Sequence, residues 1–286
     1  MPRALRYPLA ASSFFVFFVG AAVISWVVLP LLSLSFNAET RRRRRARMVR
    51  FSIRFFVGYM VFWRLIEVRW PALPADFPRG AYVLVANHPT LIDTTLVLAH
   101  FRGLSTVVSR KWFDRKGLGG LLRGAGFIPG PIKGSEDDGG RALEEMVATL
   151  RAGQAMIVFP EGTRSDPDRL LRFRRGAIEA AIQAGVPVVP LFIAPDRAML
   201  LRGQPWYHFP DGKGVYQMEL WPVIETAGKE LDARELNREL HERYRARWER
   251  VLAERQAAAG LPGAPASAPL PAAASADEPD LRDPAG

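Results

Sequence analysis

The chain has 286 residues, 49% hydrophobic and 24% charged, with a formal net charge of +10. That length holds one sizeable domain with attachments, and the charge points to an anionic partner: nucleic acid, a membrane surface or an acidic substrate. Cysteine is absent, which excludes disulfides, a thiol nucleophile and Cys-ligated zinc.

From Leu9 to Phe36 the chain is apolar or small and carries no charge. Such a run exceeds the ~20 residues that cross a bilayer. A secretory signal is the rival reading, since Arg3 and Arg6 precede the run, but the run is too long and an arginine block comes after it. A retained membrane helix is the expectation. Arg41 to Arg45 are five consecutive arginines, followed by Arg47, Arg50 and Arg54, which share one face of a helix. Phe55 to Trp63 is apolar apart from Gly58 and Tyr59 and too short to span. An amphipathic helix in the interface fits, with arginines on lipid phosphates and aromatics in the acyl boundary. A basic run with aromatics also suits nucleic acid; its position against an anchor-like segment favours the membrane. The positive-inside rule puts the arginine block and the remainder of the chain on the cytoplasmic side of the inner membrane. Residues 1–71 are thus read as anchor and interfacial helix.

Residues 72–254 read as an α/β domain. Ala81–Ala86, Thr106–Ser109, Gln154–Phe159, Val186–Ala194 and Val215–Trp221 are short β-rich runs bounded by Gly, Pro and Asn. Helical patterns cover Leu91–Phe101, Arg141–Ala152 and Gly176–Ala184, the last two closed by Gly153 and Gly185. This alternation implies a mixed, largely parallel sheet covered by helices. A last helix, Asp232–Glu254, carries Leu236, Leu240, Tyr244, Trp248 and Leu252 at four-residue spacing and should pack back on the domain. Residues 255–286 are rich in Ala and Pro and are expected to be disordered.

Of the four histidines, His241 sits among charges and is expected to be solvated, and His100 and His208 have no partner at a telling spacing. His88 directly follows a strand pattern, in Asn87-His88-Pro89-Thr90-Leu91-Ile92-Asp93. Inside one regular helix, five steps of ~100° would hold His88 and Asp93 ~140° apart. Pro89 disfavours helical geometry at His88, which puts His88 in the turn, Thr90 at the helix cap and Asp93 at the third helical position. From there the carboxylate can fold back on the imidazole, making a general base for a hydroxyl. Thr90-x-x-Asp93 is equally the form of a simple cap, so spacing alone leaves both roles open.

Phe159-Pro160-Glu161-Gly162-Thr163-Arg164-Ser165 also ends a strand pattern, where ligands of α/β sheets collect. Its Gly allows close backbone approach and its Arg suits phosphate or carboxylate; alone, it could be a polar turn. The glycine-rich stretch Gly117–Pro131 lacks the Lys and Ser/Thr of a phosphate loop, no Gly-x-Ser-x-Gly occurs, and metal-ligand spacing is absent.

These residues resemble the lysophospholipid acyltransferase family, typified by 1-acylglycerol-3-phosphate acyltransferases. Asn87–Asp93 looks like its His-x4-Asp block. Phe159–Ser165 matches its Phe-Pro-Glu-Gly-Thr-Arg-Ser block throughout. Val186-Pro187-Val188-Val189-Pro190 and Phe173-Arg174-Arg175-Gly176 resemble two further elements. The resemblance implies a glycerolipid acyltransferase-like fold with His88 as base and Asp93 as its orienter. Glu161, Gly162, Thr163 and Arg164 would bind the acceptor head group. The donor would be acyl-CoA or acyl carrier protein and the acceptor a lysolipid, with neither metal nor cofactor. The family commonly has Arg where this chain has Gly130; Lys133 is the nearby substitute. That departure keeps a non-phosphoglycerol acceptor, such as a lyso-aminolipid, in view, and beside it a non-catalytic membrane scaffold on the same fold.

Overall fold

The structure is a computed structural model that describes residues 3–23, 27–28, 31, 38–115, 118–131, 136–197, 199–204 and 212–259. Lys133, His208 and residues 260–286 lie outside that set.

Seven strands form one sheet. They are β1 (Ile66–Arg69), β2 (Val83–Ala86), β3 (Ser105–Val108), β4 (Ile128–Pro129), β5 (Met156–Val158), β6 (Val188–Pro195) and β7 (Gly214–Leu220), in spatial order β1-β7-β6-β2-β5-β3-β4. Every neighbouring pair is parallel except β6–β7, so the sheet is mixed and largely parallel, as its alternation with helices implies.

Side chains alternate across a strand, and here both faces are covered, which is why the central strands are apolar at every position. Leu84, Ala86, Ile157, Val189, Leu191 and Ile193 face one layer. Val83, Val85, Met156, Val188, Phe192 and Ala194 face the other. The first layer is built by α1 (Arg3–Val23), α2 (Ala38–Phe62) and α3 (Asp93–His100), through Phe14, Phe56, Met60, Leu96 and Val97. The short helices α4 (Arg110–Phe113) and α5 (Leu118–Gly124) fall between β3 and β4. The second layer holds α6 (Glu136–Arg151), α7 (Gly176–Ala184) and α8 (Ala233–Ala259). On α8 the four-residue spacing buries Leu236, Leu240, Tyr244 and Trp248, each such side chain contributing about 1.5–3 kcal/mol. The Tyr244 hydroxyl donates to the Val85 carbonyl at 2.9 Å, fastening α8 to β2. Gly185 ends α7 in the left-handed region at φ 66°, where its N–H reaches the Ala181 and Ile182 carbonyls.

The N-terminal run Leu9–Phe36 is covered only in part, since residues 24–26, 29–30 and 32–37 lie outside the described set. No helix among the described residues is long and apolar enough to cross a membrane. The described part of the run that forms α1 lies against α2, with Phe14 and Phe17 on Phe56 at 5.5 and 4.7 Å between ring centroids. Ser12 and Tyr59 share a hydrogen bond of 2.9 Å across the same seam. Part of the apolar run is therefore spent on intramolecular packing. The arginine block and Phe55–Phe62 are continuous in α2. β1, which precedes residue 72, is the edge strand of the sheet and pairs with β7.

Chain order fixes where a site can form. After β2 the chain crosses through α3 on the first layer to β3; after β5 it crosses through α7 on the second layer to β6. β2 and β5 are parallel neighbours whose onward connections diverge over opposite faces. A crevice opens between such loops at the carboxyl edge of the sheet.

Candidate functional site

His88 leaves β2 at that edge. Asn87, fully buried, exchanges two hydrogen bonds with the backbone of Ile193 on β6, at 2.9 and 2.7 Å, and so fixes where the strand stops. The backbone of His88 is held by the loop after β5. Its N–H donates to Glu161 Oε1 at 2.9 Å, and its carbonyl accepts from the Ser165 N–H at 2.8 Å. The imidazole stacks on Phe159 at 4.3 Å between centroids, and Nδ1 lies 2.9 Å from Asp93 Oδ2. Asp93 is completely buried, whereas 17% of the His88 side chain is exposed.

The pair meets as the strand–turn–helix junction requires, with one change in register. Asp93 opens α3 instead of occupying its third position, because residues 91 and 92 form a turn held by the Leu91 N–H on the Leu200 carbonyl, 3.0 Å away. Thr90 does not cap the helix through its own oxygen. Its N–H and hydroxyl both donate to Asp93, at 2.6 and 2.5 Å. Behind Thr90, the Tyr216 hydroxyl of β7 donates to Thr90 Oγ1 at 3.2 Å. Burial, reinforced by the Asp93 charge, pushes the Tyr216 phenol well above its ordinary value, so it stays protonated and donating. The chain Tyr216, Thr90, Asp93, His88 thus runs from the buried sheet to a partly exposed ring.

The second block divides into inward and outward halves. Glu161 is only 4% exposed, with Oε1 accepting from His88 N–H and the Ser165 hydroxyl (2.8 Å) and Oε2 from Leu171 N–H (2.9 Å). Burial raises its carboxyl above the ordinary value while these three donors pull it down. In this geometry Glu161 ties the two loops together. Gly162 and Thr163 are exposed, and Gly162 has φ 71°, which a side chain would resist. Arg164 extends Nη1 to the Leu201 carbonyl at 3.2 Å and the Leu200 carbonyl at 3.4 Å. Leu200 itself is buried at φ 53°, a strained conformation for a leucine, in the turn that receives both blocks.

Three participants were not singled out in the sequence: Asn87 as a strand pin, Tyr216, and Arg174, whose guanidinium carbon lies 3.0 Å from where a Gly162 Cβ would stand. The Phe173–Gly176 resemblance was the one signal for Arg174; nothing local pointed to Tyr216. Gly130 is buried, its N–H on the Val108 carbonyl at 2.7 Å, and a Cβ there would meet that oxygen at 3.2 Å. His241 is not solvated as expected. It is half-buried, 3.2 Å from the Leu171 carbonyl and edge-on to Phe173, and burial lowers its basicity. His100 stacks on Trp70 at 3.8 Å. Among the described residues no group of three or more His, Asp or Glu could hold a metal ion.

Residues 72–194 match the family described as Acyltransferase. The 1-acyl-sn-glycerol-3-phosphate acyltransferase alpha of Homo sapiens is 32% identical over 155 residues, 53% of this chain and 52% of that protein. The 1-acyl-sn-glycerol-3-phosphate acyltransferase of Pseudomonas aeruginosa is 25% identical over 158 residues, 54% and 58%. The chain thus spans about half the length of the curated relatives it matches. Its fold is similar to the crystal structure of the 1-acyl-sn-glycerophosphate (LPA) acyltransferase PlsC from Thermotoga maritima, with TM-score 0.63 at 23% identity, covering 90% of this chain and 98% of that one.

Proposed function

Starting from the match of residues 72–194 to the family described as Acyltransferase, we propose that the protein transfers a fatty acyl group from an acyl-CoA or acyl carrier protein thioester to the hydroxyl of a lysolipid, 1-acylglycerol-3-phosphate first among them. The observation that carries this reading is the His88–Asp93 contact at 2.9 Å, buried on the carboxylate side and open on the imidazole side.

With Nδ1 engaged by Asp93, the neutral ring keeps its proton on Nδ1 and a lone pair on Nε2. Nε2 takes the proton of the acceptor hydroxyl as its oxygen attacks the thioester carbonyl carbon. The C–S bond then breaks, the ester forms, and the thiolate leaves with the proton that His88 carries. Asp93 stabilises the transient imidazolium. A thiolate is a good leaving group, so no acyl-enzyme is needed. Gly162, Thr163 and Arg164 sit at the outer end of the same crevice as donors for the acceptor head group, with Arg174 beside them; Glu161 serves by holding their loop to His88.

In the same reading, α1 and α2 lie in the interface on the cytoplasmic face of the inner membrane. Phe15, Phe18, Phe51, Phe55 and Phe62 are exposed, each more than half, and arginines 47 and 54 stand exposed on α2 among them, the composition of an interfacial helix.

One experiment tests the function. The purified protein is given acyl-CoA and acyl carrier protein donors with a panel of lysolipids, and products are identified by mass. Ester formation should fall by roughly two to four orders of magnitude in His88→Ala, with vesicle association unchanged. Near-normal transfer by that variant would refute the mechanism. A second acceptor class, a lysolipid without glycerol phosphate, is favoured by Gly130, since its buried backbone leaves little space for the side chain that the family carries there. Efficient, selective use of lysophosphatidate would remove it.

A further inference from the structure

Beside the catalytic crevice, on the layer of α7 and α8, a groove of about 1100 Å³ is lined by Arg172, Arg174, Arg175, Arg234 and Arg238, with Phe173 and His241 in its wall. Five guanidinium groups from two segments far apart in sequence converge on one concavity. The carboxylates that line it are largely committed. Glu161 is buried and turned toward His88 and Leu171. Asp232 accepts the Arg234 and Glu235 N–H groups at the start of α8. Arg175 pairs with Glu179, and Arg238 with Glu235 and Glu242, all as exposed pairs worth little. Arg172, Arg174 and Arg234 have no carboxylate within ion-pair distance among the described residues. Three exposed guanidinium groups held near one another create a positive field that attracts an anion.

We infer that this groove holds the phosphorylated adenosine end of a coenzyme A thioester. The inference rests on the acyl-transfer reading and names the donor. Arg174 joins groove to crevice, since it lies against Gly162 of the catalytic loop. The occupant is not lipid: the exposed aromatics of α1 and α2 belong to the opposite layer of the sheet, and the one apolar side chain in the groove, Phe173, is itself buried. A concavity of about 1100 Å³ lies just above the usual small-ligand range of ~300–1000 Å³, roomy enough for a nucleotide end. Planar guanidiniums match phosphate oxygens in bidentate fashion. Lipid acceptor and water-soluble donor would then reach His88 from opposite layers.

The test uses the full-length protein in detergent, with adenosine 3′,5′-bisphosphate as the probe in titration calorimetry. Wild type should bind it, with affinity falling as salt rises. Arg172→Ala/Arg234→Ala should bind at least roughly tenfold more weakly. In turnover, the same variant should raise KM for acyl-CoA by a similar factor and leave KM for the lysolipid unchanged. A wild type that transfers acyl groups from acyl-CoA yet binds no probe overturns the inference and leaves the function standing. Probe binding lost in the variant, in a protein that transfers no acyl group, upholds the groove as a nucleotide site and removes the function. Arginine variants that impair only acyl carrier protein-driven turnover overturn it in favour of an acidic protein partner.

Discussion

The buried chain behind His88 can be dissected by a double-mutant cycle. Thr90→Val removes the hydroxyl that joins Tyr216 to Asp93. Asp93 then loses one charge-assisted bond, about 1.5–3 kcal/mol, and the Tyr216 hydroxyl is left unpaired in a fully buried place, a further ~1–3 kcal/mol. The single variant should therefore lose about 2.5–6 kcal/mol. Tyr216→Phe breaks only a neutral bond of 3.2 Å, about 0.5–1.5 kcal/mol. In the double variant no orphaned phenol remains, so its cost should fall short of the sum by about 1–3 kcal/mol. Urea denaturation of the four proteins gives the stabilities. Turnover at saturating substrate should fall roughly tenfold or more in Thr90→Val, because Asp93 keeps only the Thr90 N–H and His88 to orient it. Costs that add within about 0.5 kcal/mol would show that Tyr216 and Thr90 do not act through one another.

Two other buried groups lend themselves to the same treatment. Asn87→Leu keeps the volume but strands the Ile193 N–H and carbonyl, so denaturation should report a loss of about 2–4 kcal/mol; a smaller loss than 1 kcal/mol (roughly one bond) would mean the pin is not needed. Glu161 is raised above its ordinary value of 4.5 by burial. A raised acid binds more protons folded than unfolded, so its stabilising contribution is present in acid and lost as pH climbs through the raised value. Glu161→Gln should flatten that part of the stability–pH curve, and an unchanged slope would count against the burial account.

Much of the fold was legible in the chain, in proportion to how local the cause was. β2, β5 and β6 are apolar runs and β7 an alternating one between turn residues, and α7 ends at Gly185 for a reason carried by that one residue. β1 and β4 escaped notice because Ile66-Glu67-Val68-Arg69 and Ile128-Pro129 are short edge segments whose strand character comes from their neighbours. Leu9–Phe36 reads as a membrane crossing because composition reports apolarity and not its partner; in the described part, Phe14 and Phe17 pack on Phe56. Within Phe159–Ser165, residue types alone put Glu161 with Thr163 and Arg164, whereas burial turns it to the opposite side. Tyr216 lies 126 residues from Thr90 in sequence, and only the antiparallel placement of β7 beside β6 carries it there.

The strand order has a consequence for dissecting the molecule. The matched acyltransferase segment ends at Ala194, yet β7, β1 and α8 all lie beyond its two ends. A fragment cut at those limits would bare the edge of β6, whose residues Val188–Ala194 are buried in the intact sheet. An unpaired apolar edge of that length is a template for strand-to-strand aggregation. It would also lose Tyr216 and Tyr244, which fasten Thr90 and Val85 from outside. The matched segment marks the family resemblance; the smallest unit that can be expressed, swapped into a chimera or minimised reaches at least from Ile66 to the end of α8.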